Sequence, residues 1–128
     1  MINNQKKILI IEDDALFSQT LRIFFEKEGM EVSESSTVKE SLEKCREMKP
    51  DFVIVDICLP EELGISFSKS VGEKPDLYGS PKIIGISGLT GAFLKEGEEK
   101  LKKFNLHFFL KKPFELNELK NLINESVS

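Results

Sequence analysis

The sequence predicts an α/β fold with a parallel β-sheet, and three features of the chain support this prediction. Short apolar runs such as 8–11 and 52–55 lack polar alternation, which is typical of strands buried on both faces. Amphipathic helical patterns separate the predicted strands, and right-handed crossovers then place helices on both faces of the sheet. Both runs are followed directly by acidic residues, at the strand ends where ligands bind in open parallel sheets.

Length and composition indicate one ordinary globular domain, and we expect a single domain over residues 1–128. Hydrophobic residues make up 40% of the chain and charged residues 31%. No apolar run is long enough for a signal peptide or a membrane span, so we expect a cytoplasmic protein that does not insert into membranes. A net charge of -4, from 18 basic and 22 acidic residues, argues against direct nucleic-acid binding.

The first half of the chain contains three predicted strands and two helices. Strand 8–11 precedes a helix that stops at Gly29, and an alternating segment, 30–34, predicts a weak second strand. Thr37 and Glu40 have capping-box spacing at the start of the second helix, which ends at Pro50. The predicted inner faces are Leu16, Phe17, Thr20, Leu21, Phe24 and Phe25 in the first helix, and Val38, Leu42, Cys45 and Met48 in the second.

The second half repeats the alternation after the strand 52–55. A short helix over 64–71, with Ile65, Phe67 and Val71 inward, precedes a surface loop over 72–80 that contains Pro75 and Gly79. Strands are predicted at 82–86 and 106–110. The helix between them would carry Phe93, Leu94, Leu101 and Phe104, and the last helix Leu116, Leu119, Leu122 and Ile123.

Candidate site residues follow four of the five predicted strands. They are Glu12 and Asp13 after the first, Asp56 after the third, Ser87 after the fourth and Lys112 after the fifth. Three carboxylates in one crevice repel one another, by about 4 kcal/mol for each pair at ~4 Å and an effective dielectric near 20. Mg²⁺ suits such a set because it combines carboxylate ligands with waters that phosphate oxygens can replace. The set is therefore suited to holding a phosphoryl group.

Some of these residues, and others nearby in the sequence, have simpler interpretations. Asp56 could be a turn residue that bonds its own backbone, and Asp14 is interpreted as a helix cap. Cys45 is assigned to the core. Carboxylates near Cys58 would raise the pKa of its thiol and suppress the thiolate, which argues against redox chemistry.

In this order and spacing, four segments resemble the receiver domain of two-component response regulators over nearly the whole chain. They are Ile-Leu-Ile-Ile-Glu12-Asp13-Asp14, Asp56-x-x-Leu59-Pro60-x-x-x-Gly64, Ile84-Gly-Ile86-Ser87-Gly88 and Phe109-Leu-Lys-Lys112-Pro113-Phe114. The resemblance implies a flavodoxin-like, three-layer (βα)5 sandwich with strand order 2-1-3-4-5 and five flanking helices.

The resemblance also implies a phosphorylation-controlled signalling switch. Asp56 would accept a phosphoryl group from a sensor histidine kinase or a phosphotransfer protein. Mg²⁺ would be bound by Asp13, Asp56 and the backbone carbonyl of Cys58, with Glu12 acting through a metal-bound water. Such a domain is not an enzyme acting on other substrates, because it assists only its own phosphorylation and dephosphorylation.

Ser87 and Lys112 would contact the phosphoryl group, and Ser87 and Phe109 would form the switch. Phe109 has no tyrosine hydroxyl, so only its packing can report the change, and a plain core role is an equally good interpretation. The switch would reshape the surface formed by the helix before the fifth strand, that strand and the last helix.

The output of the switch depends on whether this chain is complete. A complete chain would signal by binding a downstream target protein, as stand-alone receivers of chemotaxis or phosphorelay type do, either as a monomer or as a phosphorylation-dependent dimer. If the chain is part of a longer protein, the output domain lies elsewhere. The main alternative is an interaction module that keeps the fold and works without phosphorylation.

Two enzymatic alternatives fit the motifs less well. A Mg²⁺-dependent phosphatase of the haloacid dehalogenase type needs an Asp-x-Asp pair after its first strand, which Glu12 and Asp14 do not supply. The segment 85–89 is close to a hydrolase nucleophile elbow, but Leu89 stands where the motif requires glycine. His107, the chain's one histidine, has no evident aspartate partner in the sequence.

Overall fold

The part of the chain that the structure describes contains five β-strands, and a helix follows each of the first, second, third and fifth strands. The computed structural model describes residues 5–56, 61–87, 106–111 and 114–127, with the backbone only for 61–66, 87, 111, 126 and 127. The strands are β1 (Lys7–Ile11), β2 (Glu31–Ser35), β3 (Phe52–Asp56), β4 (Lys82–Ser87) and β5 (Phe108–Lys111). The helices are α1 (Ala15–Lys27), α2 (Val38–Met48), α3 (Glu61–Glu73), α4 (Pro75–Tyr78) and α5 (Leu116–Val127).

The strands form one parallel sheet in the order β2-β1-β3-β4-β5. This confirms the predicted fold class and strand order. Because β1 and β3 are neighbours, with Ile11 paired to Val55, the residues that follow or end these two strands meet at the same edge. β2 and β5 lie at the two sides of the sheet.

Successive residues of the central strands point to opposite faces of the sheet, and each face has its own core. One cluster combines residues of β1, β3 and β4 with α2 and α3, and the other combines them with α1 and α5. The first contains Leu9, Ile11, Cys45, Val53, Val55, Phe67, Val71 and Ile83; the second contains Ile8, Ile10, Leu21, Phe25, Phe52, Ile54, Ile84, Ile86, Leu119 and Ile123. The uninterrupted apolar runs are therefore explained by burial on both faces.

Capping side chains define where α1 and α2 begin. Asp14 accepts hydrogen bonds from the N–H groups of Leu16 and Phe17 at the start of α1, which confirms its prediction as a cap. Thr37 accepts from Glu40 N–H at 3.1 Å, and the Glu40 carboxylate accepts from Ser36 N–H at 3.1 Å. This is the predicted capping box, with the glutamate reaching one residue further back than usual.

Several predicted boundaries and one predicted face are wrong. α3 begins at Glu61 and ends at Glu73, so it is longer than the predicted segment 64–71. The predicted loop 72–80 contains α4, a four-residue helix with Pro75 in its first turn. Leu16 and Thr20 are predicted on the inner face of α1, but Leu16 is 73% exposed and Thr20 is also exposed, because the inner stripe is centred on Leu21 and Phe25.

Smaller differences affect the strands. β2 and β5 begin one and two residues later than predicted and each ends one residue later, and β4 extends through Ser87. The helix predicted with Phe93, Leu94, Leu101 and Phe104 falls outside the described residues. No helix among those described combines the length and apolar character needed to cross a bilayer.

Candidate functional site

Three carboxylates meet at the carboxyl edge of the sheet. Glu12 directly follows β1, Asp13 is next in the chain, and Asp56 is the last residue of β3. One carboxylate oxygen from each of the three lies within 4.8 Å of the other two. Glu12 is 4% exposed and Asp56 is 3% exposed, whereas Asp13 faces solvent. The structure thus brings together the three acidic residues that the sequence predicts to form a site.

Backbone hydrogen bonds fix the loop that carries Glu12. The Glu12 N–H donates to the carbonyl of Ser35 at 3.1 Å, which ties the end of β1 to the end of β2. The Glu12 Oε1 atom accepts from the N–H of Asp14 at 3.1 Å, and the Asp14 carboxylate caps α1. The residue that caps α1 therefore also orients one member of the acidic cluster.

The donor set of this cluster fits a small, hard cation. At this separation the carboxylates repel one another by roughly 3 to 4 kcal/mol for each pair at an effective dielectric near 20. A divalent ion among their oxygens converts that repulsion into attraction, and Mg²⁺ prefers such oxygen ligands. The solvent-facing position of Asp13 leaves one side of the cluster open to water or to a phosphoryl group.

The ends of β4 and β5 lie at this same edge. Asp56 pairs with Ile86, so the Ser87 backbone lies one residue further along β4, where it pairs with Lys111 of β5. The Ser87 side chain lies outside the described part of the structure. Two other predicted site residues, Cys58 and Lys112, lie outside the described residues.

Phe109 lies in β5 directly opposite Gly85 of β4. Its ring is partly buried against the first core cluster, together with Leu106. Because glycine has no side chain, the strand surface opposite Phe109 carries no side-chain bulk. This packing agrees with the core interpretation of Phe109, and its role as a switch remains a prediction.

A polar network lies beside the acidic cluster, and the sequence does not predict it. Glu34 Oε1 accepts from Ser18 Oγ at 2.7 Å, and Glu34 Oε2 lies 3.2 Å from Arg22 Nε. These three residues line a cavity of about 430 Å³ whose wall also contains Glu12 and Asp13. No motif links Arg22 to Glu34, because the contact joins two elements whose spacing in the chain is arbitrary.

The cysteine assignments can be tested for one of the two residues. Cys45 is fully buried in the first core cluster, with its Sγ 3.6 Å from the carbonyl oxygen of Tyr78. Burial raises the pKa of the Cys45 thiol to about 11. The predicted core role of Cys45 is confirmed.

Comparison with known proteins identifies the family. A family model described as the response regulator receiver domain matches residues 8–124. The chain belongs to this family. The receiver domain is 31% identical over 121 residues to the probable C4-dicarboxylate response regulator DctR of Halalkalibacterium halodurans, covering 93% of this chain and 50% of DctR. The chain thus spans about half the length of this curated relative.

Other relatives match the receiver domain over most of their own length. It is 29% identical over 108 residues to the polar-differentiation response regulator DivK of Brucella anthropi, covering 84% of this chain and 85% of DivK. A solved CheY-like receiver domain protein from Methanospirillum hungatei is 26% identical, with a TM-score of 0.78 over 96% of this chain and 94% of that one. The chemotaxis response regulator CheY4 of Vibrio cholerae, at 23% identity and a TM-score of 0.80 over 95% and 98%, shares the fold.

Proposed function

We propose that this receiver domain is a phosphorylation-controlled switch in which Asp56 accepts a phosphoryl group. The observation that carries the proposal is the convergence of Asp56 with Glu12 and Asp13 at the end of the sheet. Asp56 ends a fully buried strand that is paired with β1 on one side and β4 on the other, so the backbone that carries its carboxylate is fixed by the sheet. A nucleophile held in this way loses little freedom when it reacts.

The proposed reaction is transfer from a phosphohistidine of a sensor kinase or phosphotransfer protein. A carboxylate oxygen of Asp56 forms a bond to phosphorus while the phosphorus–nitrogen bond of the donor breaks, and the donor imidazole keeps the electron pair and takes up a proton. Hydrolysis reverses the state: water attacks phosphorus, and the Asp56 carboxylate leaves with the bonding electrons. The protein itself assists both steps.

The residues around Asp56 would hold a Mg²⁺ ion and the transferred group. Asp13 and Asp56, together with the Cys58 carbonyl, would bind the ion directly, and Glu12 would act through a water. When bound, Mg²⁺ supplies positive charge that neutralises the carboxylates and the phosphoryl oxygens. We propose two further contacts to the phosphoryl oxygens, one from the Ser87 hydroxyl and one from the Lys112 ammonium. The match of these two residues to family positions that follow the fourth and fifth strands supports both contacts.

The proposed output is a change in the surface that a downstream protein recognises. The position of Phe109 against the first core cluster, opposite Gly85, supports a readout through packing at β5. The two curated relatives bear different physiological names, dicarboxylate response and polar differentiation, so the proposal is limited to the receiver chemistry that they share.

Intact-mass spectrometry after incubation with acetyl phosphate and Mg²⁺ tests this function. We expect the mass of one added phosphoryl group on the parent, none on Asp56→Asn, and none when a chelator removes Mg²⁺. Asp76→Asn is the control, because Asp76 is an exposed carboxylate in α4. No adduct on the parent would favour the phosphorylation-independent interaction module. Equal adducts on the parent and Asp56→Asn would place the phosphoryl group on another residue and contradict the assignment of Asp56.

A further inference from the structure

The one histidine of the chain joins β5 to β4 at the amino-terminal end of these strands, opposite the end that carries the acidic cluster. His107 directly precedes β5, and its backbone N–H donates to the carbonyl of Ile83 at 2.8 Å. The N–H of Ile83 donates in return to the Nδ1 atom of the His107 ring at 3.0 Å. Both backbone polar groups of Ile83 are therefore bonded to the same residue.

The ring contact replaces a missing strand hydrogen bond. The pairing of β4 with β5 begins at Ile84 and Phe108, so Ile83 lies just before the regular ladder. Ile83 is 1% exposed, and a buried N–H without an acceptor is costly. The His107 ring supplies that acceptor and extends the attachment of β5, which is only four residues long and lies at the side of the sheet.

This contact requires a neutral ring. Nδ1 can accept the Ile83 N–H only when its lone pair is free, so the ring proton must reside on Nε2. Protonation would place an N–H at Nδ1 facing the N–H of Ile83. Burial and the positive charge of Lys82 on β4 lower the pKa of His107 below its usual 6.5.

The described residues that line the cavity beside the ring carry no charge. A cavity of about 190 Å³ beside His107 is formed by the end of α3, the segment around α4 and the start of β4. Its other described lining residues, which carry no titratable side chain, are Val71, Gly72, Pro75, Gly79, Ser80, Pro81 and Ile83. Among the described residues, Lys82 is therefore the charged group that opposes protonation of His107.

We propose that His107 is a positioning residue whose neutral ring fixes the base of β5 to β4 and sets the position of Phe109, and that protonation releases this attachment. Phe109 is two residues along β5 from the ring contact, and β5 leads toward Lys112. The attachment itself stands on the hydrogen bonds of His107. Its effect on phosphorylation rests on the proposed function of Asp56.

A matched pair of substitutions separates the acceptor from the bulk of the ring. His107→Asn places Oδ1 at the position of Nδ1, so it can accept the Ile83 N–H but cannot titrate. His107→Gln is also neutral, but its oxygen lies one bond further from the backbone, at the distance of Nε2. The asparagine variant should preserve the attachment at every pH, and the glutamine variant should lack it.

Amide hydrogen exchange of Ile83 is the first readout. In the parent, the protection factor should be high above the usual histidine pKa and should fall on the order of tenfold as the pH drops through the lowered pKa. His107→Asn should show high protection without this step, and His107→Gln low protection throughout. Nitrogen NMR of the ring should show the proton on Nε2 at neutral pH. A pH-independent parent, or a ring proton on Nδ1, would overturn the proposal.

The second readout is the rate at which acetyl phosphate forms the adduct. This rate is measured for the parent and for His107→Asn between about pH 7.5 and about pH 5, and the parent rate is divided by the variant rate at each pH. Taking the ratio cancels the pH dependence that the two proteins share. We expect a ratio near one at the higher pH and a change of a few-fold where His107 titrates. A constant ratio would overturn the coupling. If no variant is phosphorylated, the coupling fails together with the proposed function, while amide exchange still decides the attachment.

Discussion

The backbone N–H of Asp14 donates a 3.1 Å hydrogen bond to Oε1 of Glu12, and the Asp14 carboxylate caps the first turn of α1. One residue therefore begins a helix and orients a buried member of the acidic cluster. Because Asp14 uses its backbone for Glu12 and its side chain for α1, substitutions of the side chain test how far the cap stabilises the loop.

Removing the Asp14 side chain should weaken both the fold and cation binding. Asp14→Ala loses the cap and should lower the free energy of unfolding by about 1 kcal/mol, whereas Asp14→Asn should cost only a few tenths. Urea denaturation measures both. Calorimetric titration should also show weaker Mg²⁺ binding by Asp14→Ala than by Asp14→Asn. Equal Mg²⁺ affinity in the two variants would contradict a positioning effect of the cap on Glu12.

Magnesium should stabilise the native protein, because only the folded chain brings the three carboxylates together. At a concentration of one hundred times the Kd the gain is about 2.7 kcal/mol, visible as a higher unfolding midpoint. Asp13→Asn should reduce the gain, and Glu47→Gln, which alters an exposed carboxylate of α2, should not. A sodium salt at matched ionic strength separates binding from screening. Equal shifts with both salts would contradict a Mg²⁺ site.

Lys49 marks a position where glycine should improve stability. It is the C-cap of α2 in a left-handed conformation, with φ 45° and ψ 69°, and its side chain is exposed. Lys49→Gly removes the steric cost of this conformation and should raise the free energy of unfolding by about 0.5–1 kcal/mol. Lys49→Ala keeps the Cβ and should not stabilise. A gain in the alanine variant equal to that of glycine would place the effect in the lysine side chain instead.

Lys44 closes the outer side of the sheet at β2. Glu31 N–H and Ser35 C=O bond toward β1, so by alternation the carbonyl of Glu34 points away from the sheet, and Lys44 Nζ donates to it. An edge strand whose outward-facing backbone groups have no partner can pair with a strand of another chain. Lys44→Met should increase self-association in sedimentation experiments, whereas Lys39→Met, at an exposed position of the same helix, should not. Monomeric behaviour of both variants would contradict this role.

The sequence predicts the fold well where a physical pattern repeats along the chain. Buried strands such as 52–55 are apolar throughout, and caps such as Asp14 have fixed spacing to the helices that they begin. α4 was missed because a single helical turn is too short for periodicity. Leu16 was misplaced because apolar residues at three- and four-residue spacing cover a stripe on α1 that is wider than the helix face packed against the sheet.

The acidic cluster could be predicted because the ends of parallel strands converge, which places Glu12 and Asp56 together whatever the loops do. Two contacts elsewhere in the fold could not be predicted in this way. The bond of the His107 ring to Ile83, and that of Lys44 to Glu34, each engage a backbone group. Unlike a helix cap, these bonds join a side chain to a backbone group in another element, and backbone groups are the same at every residue, so no fixed spacing in the sequence indicates them.

Locating the phosphoryl group is the most direct test of the central claim, since three carboxylates lie within reach of one another. Borohydride reduces an aspartyl phosphate to homoserine and leaves a free carboxylate unchanged, so peptide mass spectrometry can identify the modified residue after treatment with acetyl phosphate and Mg²⁺. We predict homoserine at position 56 and unmodified Glu12 and Asp13. Modification at either of those two residues, or at none of the three, would contradict the assignment of Asp56 as the phosphoacceptor.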